Sequence, residues 1–204
     1  MLLTGASGFI GLHCVKQLIQ SGFKVRGTVR SLERQKLVQE VLAANNVDTK
    51  NIGFNLLDLN SDAGWEAAMV GCKYVMHVAS PFWIANPKND AEMMTPAVDG
   101  TLRVLRAAKK AKVKRVILTS SVVSMMSSIR RGLFTPEDWT DVDYPNLSTY
   151  IKSKTLAERA AWKFLDENKG PSAPALVVIA PGGVVGPPLG TDITGQSLTV
   201  LAKM

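Results

Sequence analysis

The chain has 204 residues, of which 46% are hydrophobic and 20% are charged, and its formal net charge is +7. This composition suits a single folded domain with a sizeable core and excludes an intrinsically disordered chain. No stretch reaches the roughly 18 consecutive apolar residues of a membrane span, and the first residues lack the basic flank and apolar run of a secretion signal. We therefore expect a cytoplasmic protein with no membrane partner.

Short runs rich in valine, isoleucine and leucine alternate with longer segments of helical periodicity along the chain. This alternation is typical of βαβ units around a parallel sheet. It predicts strands over residues 1–4, 24–29, 51–57, 73–78, 114–119 and 175–180, and helices over residues 9–21, 32–44, 62–70, 91–111 and 148–168. Ser31 and Ser148 are expected to cap the second and fifth helices, and Ser61 or Asp62 the third. The predicted fold is α/β, a Rossmann-like doubly wound parallel sheet with helices on both faces.

The first strand runs into a turn with glycines at three-residue intervals, at the point where a helix begins. In a nucleotide-binding turn the first glycine permits a tight bend, the second lets the backbone approach a pyrophosphate, and the third lets the helix pack on the strand. The helix N-terminus then offers free N–H groups and a partial positive charge to the phosphates. The alternative is a surface turn that the glycines merely punctuate. We expect a nucleotide cofactor to contact Gly5, Ser7, Gly8, Phe9, Ile10 and Gly11.

The end of the second strand bears on the choice between the two nicotinamide cofactors. An acidic residue there binds the ribose 2′-hydroxyl of NAD, whereas an arginine pairs with the 2′-phosphate of NADP. The strand ends in Val29 and Arg30, and no carboxylate follows until Glu33, so NADP is predicted and NAD is the alternative. The alternative that Arg30 is a surface arginine that binds no ligand also stays open. After the third strand, Asp58 is a candidate acceptor for the adenine amine, with Leu59 beside it, although aspartate is also common at strand ends.

The pair Tyr150 and Lys154 is suited to proton transfer. Four residues are about one helical turn, so both side chains project from the same face of the predicted helix. A free phenol has a pKa near ~10, and a neighbouring ammonium that lowers it by about three units would bring it near neutrality. Of the three tyrosines, Tyr150 alone has a lysine at this spacing. The alternative is an amphipathic helix that carries ordinary surface charge.

Other polar residues have simpler interpretations. The basic run over residues 103–115 has no aromatic partners, so it predicts a solvated helix face and no nucleic-acid partner. Cys14 and Cys72 have no metal-ligand spacing, so no metal site is expected, and two isolated thiols indicate a reducing compartment. His13 and His77 lie in apolar segments, which predicts packed histidines outside the site.

Four segments of the chain occur in an informative order. They are the glycine turn, the stretch 75–81, Thr119-Ser120-Ser121 and the Tyr150 segment. Together they resemble the extended short-chain dehydrogenase/reductase family, in the branch of dihydroflavonol 4-reductase, cinnamoyl-CoA reductase and related aldehyde or ketone reductases. The acid-rich turn over residues 135–139 is similar to that branch as well.

The resemblance implies a role for each catalytic residue. Tyr150 would be the acid/base, Lys154 would lower its pKa and hold the nicotinamide ribose, and Ser121 would hydrogen-bond the substrate carbonyl, with Ser120 as the alternative serine. Donors aimed at the carbonyl oxygen stabilise the negative charge that hydride transfer builds there. The remaining cofactor contacts implied are Val78, Ala79, Ser80, Pro181, Gly183 and Val184.

The prediction is therefore an NADPH-dependent carbonyl reductase that converts an aldehyde or ketone into an alcohol, as a monomer or homodimer. Two alternatives stay open: an NAD-dependent sugar-nucleotide epimerase or dehydratase, and a nicotinamide-binding regulatory or inactive fragment without turnover. Family members have a fuller first strand and continue further at the C-terminus. We accordingly expect residues 1–204 to be a Rossmann domain truncated at both ends, with the C-terminal substrate lobe largely absent.

Overall fold

A computed structural model describes residues 1–83, 85–126 and 132–190. Six parallel strands form one sheet in the order β3-β2-β1-β4-β5-β6. The chain moves outward from β1 to β3, then returns to the other side of β1 with β4, so the strand order reverses between β1 and β4. The predicted doubly wound, Rossmann-like sheet is confirmed. The strands are β1 Leu2–Thr4, β2 Val25–Val29, β3 Ile52–Leu56, β4 Tyr74–His77, β5 Arg115–Thr119 and β6 Ala175–Ile179.

Helices cover both faces of the sheet, and the two adjacent leucines of β1 show how. Successive strand residues point to opposite faces. The helices are α1 Phe9–Gln20, α2 Leu32–Ala44, α3 Trp65–Met69, α4 Ala91–Lys110, α5 Val123–Met126 and α6 Thr149–Glu167, with a short 3-10 helix at Thr49–Asn51. Because of the alternation along β1, Leu2 packs in one apolar cluster with α3, α4 and α6, while Leu3 packs in a second cluster with α1 and α2.

Most predicted boundaries agree with the structure. Each strand, and each of the four long helices, begins and ends within one residue of its predicted limits. Ser31 and Ser148 are confirmed as caps, because their hydroxyls accept hydrogen bonds from the backbone N–H of Arg34 at 3.4 Å and of Ile151 at 3.3 Å. The short helix α5 was not predicted, because four residues are too few to show a helical period.

The prediction for the third helix was wrong at its start. Helix α3 begins at Trp65, and its cap is Gly64, which adopts a left-handed conformation with φ of 82°. The Ser61 hydroxyl instead accepts from a backbone N–H two residues on, at 3.2 Å, and Asp62 pairs with Arg103 of α4. The polar side chains that resemble caps in the sequence therefore stabilise the preceding turn and its contact with α4.

Arg103 is an exception to the prediction that the basic face of α4 is solvated. Its side chain is 17% exposed, and its guanidinium donates to the Leu59 carbonyl oxygen at 2.6 Å as well as pairing with Asp62. Arg106 and Lys110 on the same helix are exposed as predicted. Among the described helices, none combines the length and the apolar character that crossing a membrane requires.

Candidate active site

The carboxyl ends of the parallel strands bring the predicted site segments to one edge of the sheet. In open α/β sheets, ligands bind outside these ends, where the strand order reverses. Here that point lies between β1 and β4, next to the glycine turn and residues 78–80. Residues 120–121 follow β5 and residues 181–184 follow β6, so they lie at the same edge.

At two of the three positions in the glycine turn, the fold itself requires glycine. Gly5 has a left-handed φ of +71°, and a Cβ there would lie 3.0 Å from the Cα of Ala79. A Cβ on Gly11 would lie 2.0 Å from the Gly5 carbonyl oxygen, where no side chain fits. At Gly8 a Cβ would make only an ordinary contact of 3.4 Å, and φ is −78°. Gly8 is the N-cap of α1, and because it has no side chain the space in front of the helix N-terminus stays open. That space suits a phosphate.

A buried hydroxyl joins the glycine turn to the segment after β4. Thr4 Oγ1 accepts hydrogen bonds from the backbone N–H groups of Val78 and Ala79, both at 3.0 Å, and lies 2.7 Å from His77 Nδ1. With both lone pairs occupied, the hydroxyl donates its own hydrogen to Nδ1. The other ring nitrogen, His77 Nε2, then carries the ring hydrogen and lies 3.4 Å from Thr101 Oγ1. These bonds fix the backbone at the position where the cofactor path is predicted.

His77 is a packed histidine, as predicted, but it lies inside the site. Its side chain is 2% exposed, and burial, with the charge of Lys154 as a smaller cause, lowers its pKa to about 3. It is therefore neutral at physiological pH. Together with Ala79, Ser120, Lys154 and others it lines a small cleft at the carboxyl ends of β4 and β5. The other histidine, His13, lies on α1, where its ring packs edge-on against Phe9 at 5.3 Å.

Helix α6 carries Tyr150 in its first turn and Lys154 one turn later. The Tyr150 ring is half-buried and packs edge-on against Phe82, with the ring centroids 4.9 Å apart. Lys154 is 7% exposed, and its ammonium lies 6.0 Å from the Tyr150 ring centroid. That ammonium donates a hydrogen bond to the Thr119 carbonyl oxygen at 3.3 Å, at the end of β5.

The protonation of the pair differs from expectation. Burial raises the pKa of Tyr150 above its ordinary value of 10.0, and a hydrogen bond with the Ser121 side chain opposes this only in part. The expected lowering by Lys154 is wrong for this structure, because the ammonium bonds to β5 and not to the phenol. Burial lowers the pKa of Lys154 to about 8, with Glu158 opposing. At neutral pH the phenol therefore holds its proton and the lysine is predominantly charged.

The two candidate serines have different partners. Ser121 lies beside Tyr150, where its side chain opposes part of the rise in the pKa of the phenol, and its Oγ accepts weakly from the Val123 N–H at 3.5 Å. Ser120 instead donates from its Oγ to a carboxylate oxygen of Glu158 at 2.5 Å. Both serines are buried, at 7% and 5% exposed respectively. Of the two serines, Ser121 is therefore the one beside the phenol.

The predicted adenosine end of the site is open to solvent. Arg30 is exposed immediately beyond β2, and among the described residues none forms an ion pair with it. Asp58 is also exposed, and its carboxylate accepts from the Asn60 N–H at 2.8 Å. Leu59 is half-buried against α4, where a Cβ on Gly100 would lie 2.9 Å from the Leu59 Cβ. Since β2 and β3 pair in register, these residues share one edge of the sheet.

The segment after β6 returns beside Ser121. The Pro181 carbonyl oxygen accepts from the Val122 N–H at 3.0 Å, which places it next to Ser121. Gly183 and Val184 are exposed beyond it. The predicted nicotinamide loop therefore starts beside Ser121.

Two polar residues of this edge were absent from the sequence prediction as site residues. His77 was assigned to packing alone, and Glu158 was not considered. Glu158 lies four residues after Lys154, as Lys154 lies four after Tyr150, so one helix face carries all three side chains. That spacing is a signal that the sequence does contain. Within the described parts of the chain, no group of three histidine, cysteine, aspartate or glutamate residues is arranged to hold a metal ion.

Comparison with known proteins gives consistent relationships. Residues 1–199 match the NAD dependent epimerase/dehydratase family. Over 200 residues the chain is 38% identical to an anthocyanidin reductase ((2S)-flavan-3-ol-forming) of Vitis vinifera, which covers 94% of this chain and 57% of that protein. It is 33% identical to a dihydroflavonol 4-reductase of Dianthus caryophyllus over 208 residues, covering 99% of this chain and 56% of that protein.

A solved structure supports the same relationship. The crystal structure of the yeast methylglyoxal/isovaleraldehyde reductase Gre2 complexed with NADPH superposes with a TM-score of 0.80 and 30% sequence identity. The match covers 92% of this chain and 58% of the yeast protein. The chain thus spans less than two thirds of the length of each of these relatives.

Proposed function

The chain belongs to the NAD dependent epimerase/dehydratase family, and we propose that it forms the cofactor-binding and catalytic part of an NADPH-dependent carbonyl reductase. The observation that carries the proposal is the state of Tyr150. Its phenol is half-buried, protonated at neutral pH and next to the Ser121 side chain, with the Lys154 ammonium one turn further along the helix. A held proton beside a second hydroxyl is what the reduction of a carbonyl needs.

The glycine turn supports a dinucleotide as cofactor. Gly5 and Gly11 allow the tight turn, while Gly8 leaves the N-terminus of α1 open for a pyrophosphate. Arg30 supports NADPH over NADH, since it is exposed at the end of β2 and has no ion pair within the described residues. The yeast relative whose structure contains NADPH supports the same choice.

Each catalytic residue then has a defined task. Reduced nicotinamide supplies a hydride to the carbonyl carbon. Ser121 donates a hydrogen bond to the carbonyl oxygen, and Tyr150 donates its proton to that oxygen as negative charge develops. Lys154 would hold the nicotinamide ribose, because its ammonium is kept one turn from Tyr150 by the bond to the Thr119 carbonyl oxygen. The product is the alcohol, and Tyr150 regains its proton from solvent.

The proposed substrates are aldehydes and ketones. The solved yeast relative is named for methylglyoxal and isovaleraldehyde, and the plant relatives for anthocyanidin and dihydroflavonol reduction. These names share the reduction of a small organic molecule. They do not share one carbon skeleton, so the proposal names the reaction and the carbonyl class of substrate and no single compound.

The test is direct. The purified protein is mixed with NADPH and a panel of aliphatic and aromatic aldehydes and ketones, and the absorbance of the reduced cofactor is followed. Loss of absorbance that depends on both substrate and Tyr150 supports the proposal. A protein that binds NADPH without oxidising it with any member of the panel contradicts it and favours a binding protein. Tightly copurifying NAD with no net oxidation favours an epimerase or dehydratase.

A further inference from the structure

A carboxylate behind the catalytic residues receives an unusual set of hydrogen bonds. Glu158 Oε2 accepts from the Ser120 hydroxyl at 2.5 Å and lies 2.8 Å from the Ser124 hydroxyl, while Oε1 accepts from Trp162 Nε1 at 3.4 Å. The Ser124 hydroxyl is also 2.8 Å from the Ser121 carbonyl oxygen, but an ionised carboxylate is the stronger acceptor. Glu158 therefore connects α6 to the end of β5 and to α5.

The same carboxylate acts on Lys154. Lys154 and Glu158 lie one turn apart on α6 and line the same small cleft, where Lys154 is 7% exposed. Glu158 favours the charged form of Lys154 against the effect of burial. The other groups around the ammonium do not supply negative charge: His77 on β4 is neutral, Thr101 on α4 and Thr119 on β5 are uncharged, and Tyr150 is protonated. In the part of the chain that the structure describes, Glu158 is the acid that opposes the desolvation of Lys154.

We propose that Glu158 is a positioning residue, which provides the counter-charge of Lys154 and holds Ser120 and Ser124 so that Ser121 stays beside Tyr150. Its effect on turnover rests on the reductase function proposed above. Its effect on Lys154 is a property of the folded chain and can be measured without substrate or cofactor. Ser120 thereby has a structural role next to Ser121, which explains why two adjacent serines end this strand with different partners.

The pH dependence of stability tests the link to Lys154. In the folded protein burial lowers the pKa of Lys154 to about 8 from an ordinary value of 10.5. Between these values the unfolded chain binds more protons than the folded one, so Lys154 makes stability rise with pH across that window. Loss of the Glu158 charge lowers the pKa of Lys154 further. The rise must then begin at a lower pH.

The variant is Glu158→Gln, which keeps the shape of the side chain, and the control is Glu167→Gln on the same helix, where the exposed carboxylate pairs with Lys163. Unfolding by urea is measured from about pH 6 to pH 10.5. We expect the rise to begin below pH 8 in Glu158→Gln and to be unchanged in Glu167→Gln. In the background Lys154→Met the difference between the two variants should vanish. Identical profiles for the two single variants overturn the inference.

If Glu158→Gln does not fold, the double variant Glu158→Gln with Lys154→Met decides the matter. A buried ammonium without its counter-charge is costly, so removing both charges should restore folding. A double variant that stays unfolded shows that Glu158 does not act through Lys154 and overturns the inference.

Turnover gives a separate readout. At pH 7 Glu158→Gln should lower kcat/KM by about twofold, because a fall of roughly one unit in the Lys154 pKa from about 8 leaves about half of the lysine charged. It should also move the limb of the pH profile that reports Lys154 to lower pH. Glu158→Asp, which keeps the charge, should recover part of the loss. If Glu158→Asp loses as much activity as Glu158→Gln, the role through Lys154 is contradicted. A protein without turnover contradicts the reductase proposal alone, since the stability profiles still decide the role of Glu158.

Discussion

The two halves of the site edge are built in different ways. Around β1, β2 and β3 the site consists of backbone conformation and exposed side chains: the bend at Gly5, the open helix end at Gly8, and Arg30 in solvent. Around β4, β5 and α6 it consists of buried polar side chains with hydrogen-bond partners, such as His77 beside Thr4 and Lys154 at the Thr119 carbonyl oxygen. The first half is suited to binding phosphate, and the second to holding protons. The difference predicts that substitutions in the two halves have separable effects.

Tyr150→Phe should give the largest effect and separate the halves most sharply. Removal of the proton donor should lower kcat by about 10²–10⁴-fold, while the dissociation constant for NADPH stays within about a factor of three. The measurements are NADPH oxidation and NADPH titration by fluorescence. Tyr144→Phe, which changes a tyrosine outside the site, is the control. An active Tyr150→Phe protein removes the phenol from the mechanism.

Ser121→Ala and Ser120→Ala should distinguish the roles of the two adjacent serines. Loss of a hydrogen-bond donor to the developing oxyanion lowers kcat by about 10²–10³-fold, which we expect of Ser121→Ala. Ser120→Ala removes a donor to Glu158 and should lower the free energy of unfolding by about 1–3 kcal/mol, with the smaller loss of activity. Activity assays and urea unfolding of both variants check this. The reverse pattern would assign the substrate contact to Ser120.

Arg30→Gln tests whether the binding half selects its cofactor by charge. Hydrogen bonds to charged groups contribute about 1.5–3 kcal/mol, so NADPH affinity should fall roughly ten- to hundredfold while NADH affinity is little changed. Titration of both cofactors measures this preference. Arg106→Gln, an exposed arginine on α4, is the matched control. Equal losses for NADPH and NADH would place Arg30 away from the 2′-phosphate.

Gly11→Ala and Gly8→Ala distinguish what the fold needs from what the cofactor needs. The Cβ of Gly11→Ala meets the Gly5 carbonyl oxygen at 2.0 Å, so we expect a loss of about 1–3 kcal/mol in the free energy of unfolding, together with weaker binding. Gly8→Ala meets no such clash and should weaken NADPH binding with stability changed by less than ~0.5 kcal/mol. Thermal and urea unfolding, with NADPH titration, compare them. A strongly unstable Gly8→Ala protein would mean that Gly8 serves the fold.

Much of the fold could be predicted because local pattern and tertiary structure agree. A β-strand buried on both faces requires a continuous apolar run, and a strand-to-helix turn that bends at Gly5 requires glycine there. Strand limits were therefore accurate to one residue. The start of α3 was not, because Ser61 and Asp62 have a choice of partners, and contacts with α4 decided it.

The sequence by itself determined the doubly wound sheet, the glycine turn and the one tyrosine with a lysine a helical turn away, since these depend on periodicity and on spacing within single segments. Tertiary structure alone decided the protonation of that pair. Burial keeps the Tyr150 proton in place and lowers the pKa of Lys154, whose ammonium donates to the Thr119 carbonyl oxygen at the end of β5. Desolvation depends on how segments far apart in the chain cover these groups, and spacing within one helix contains no record of that burial.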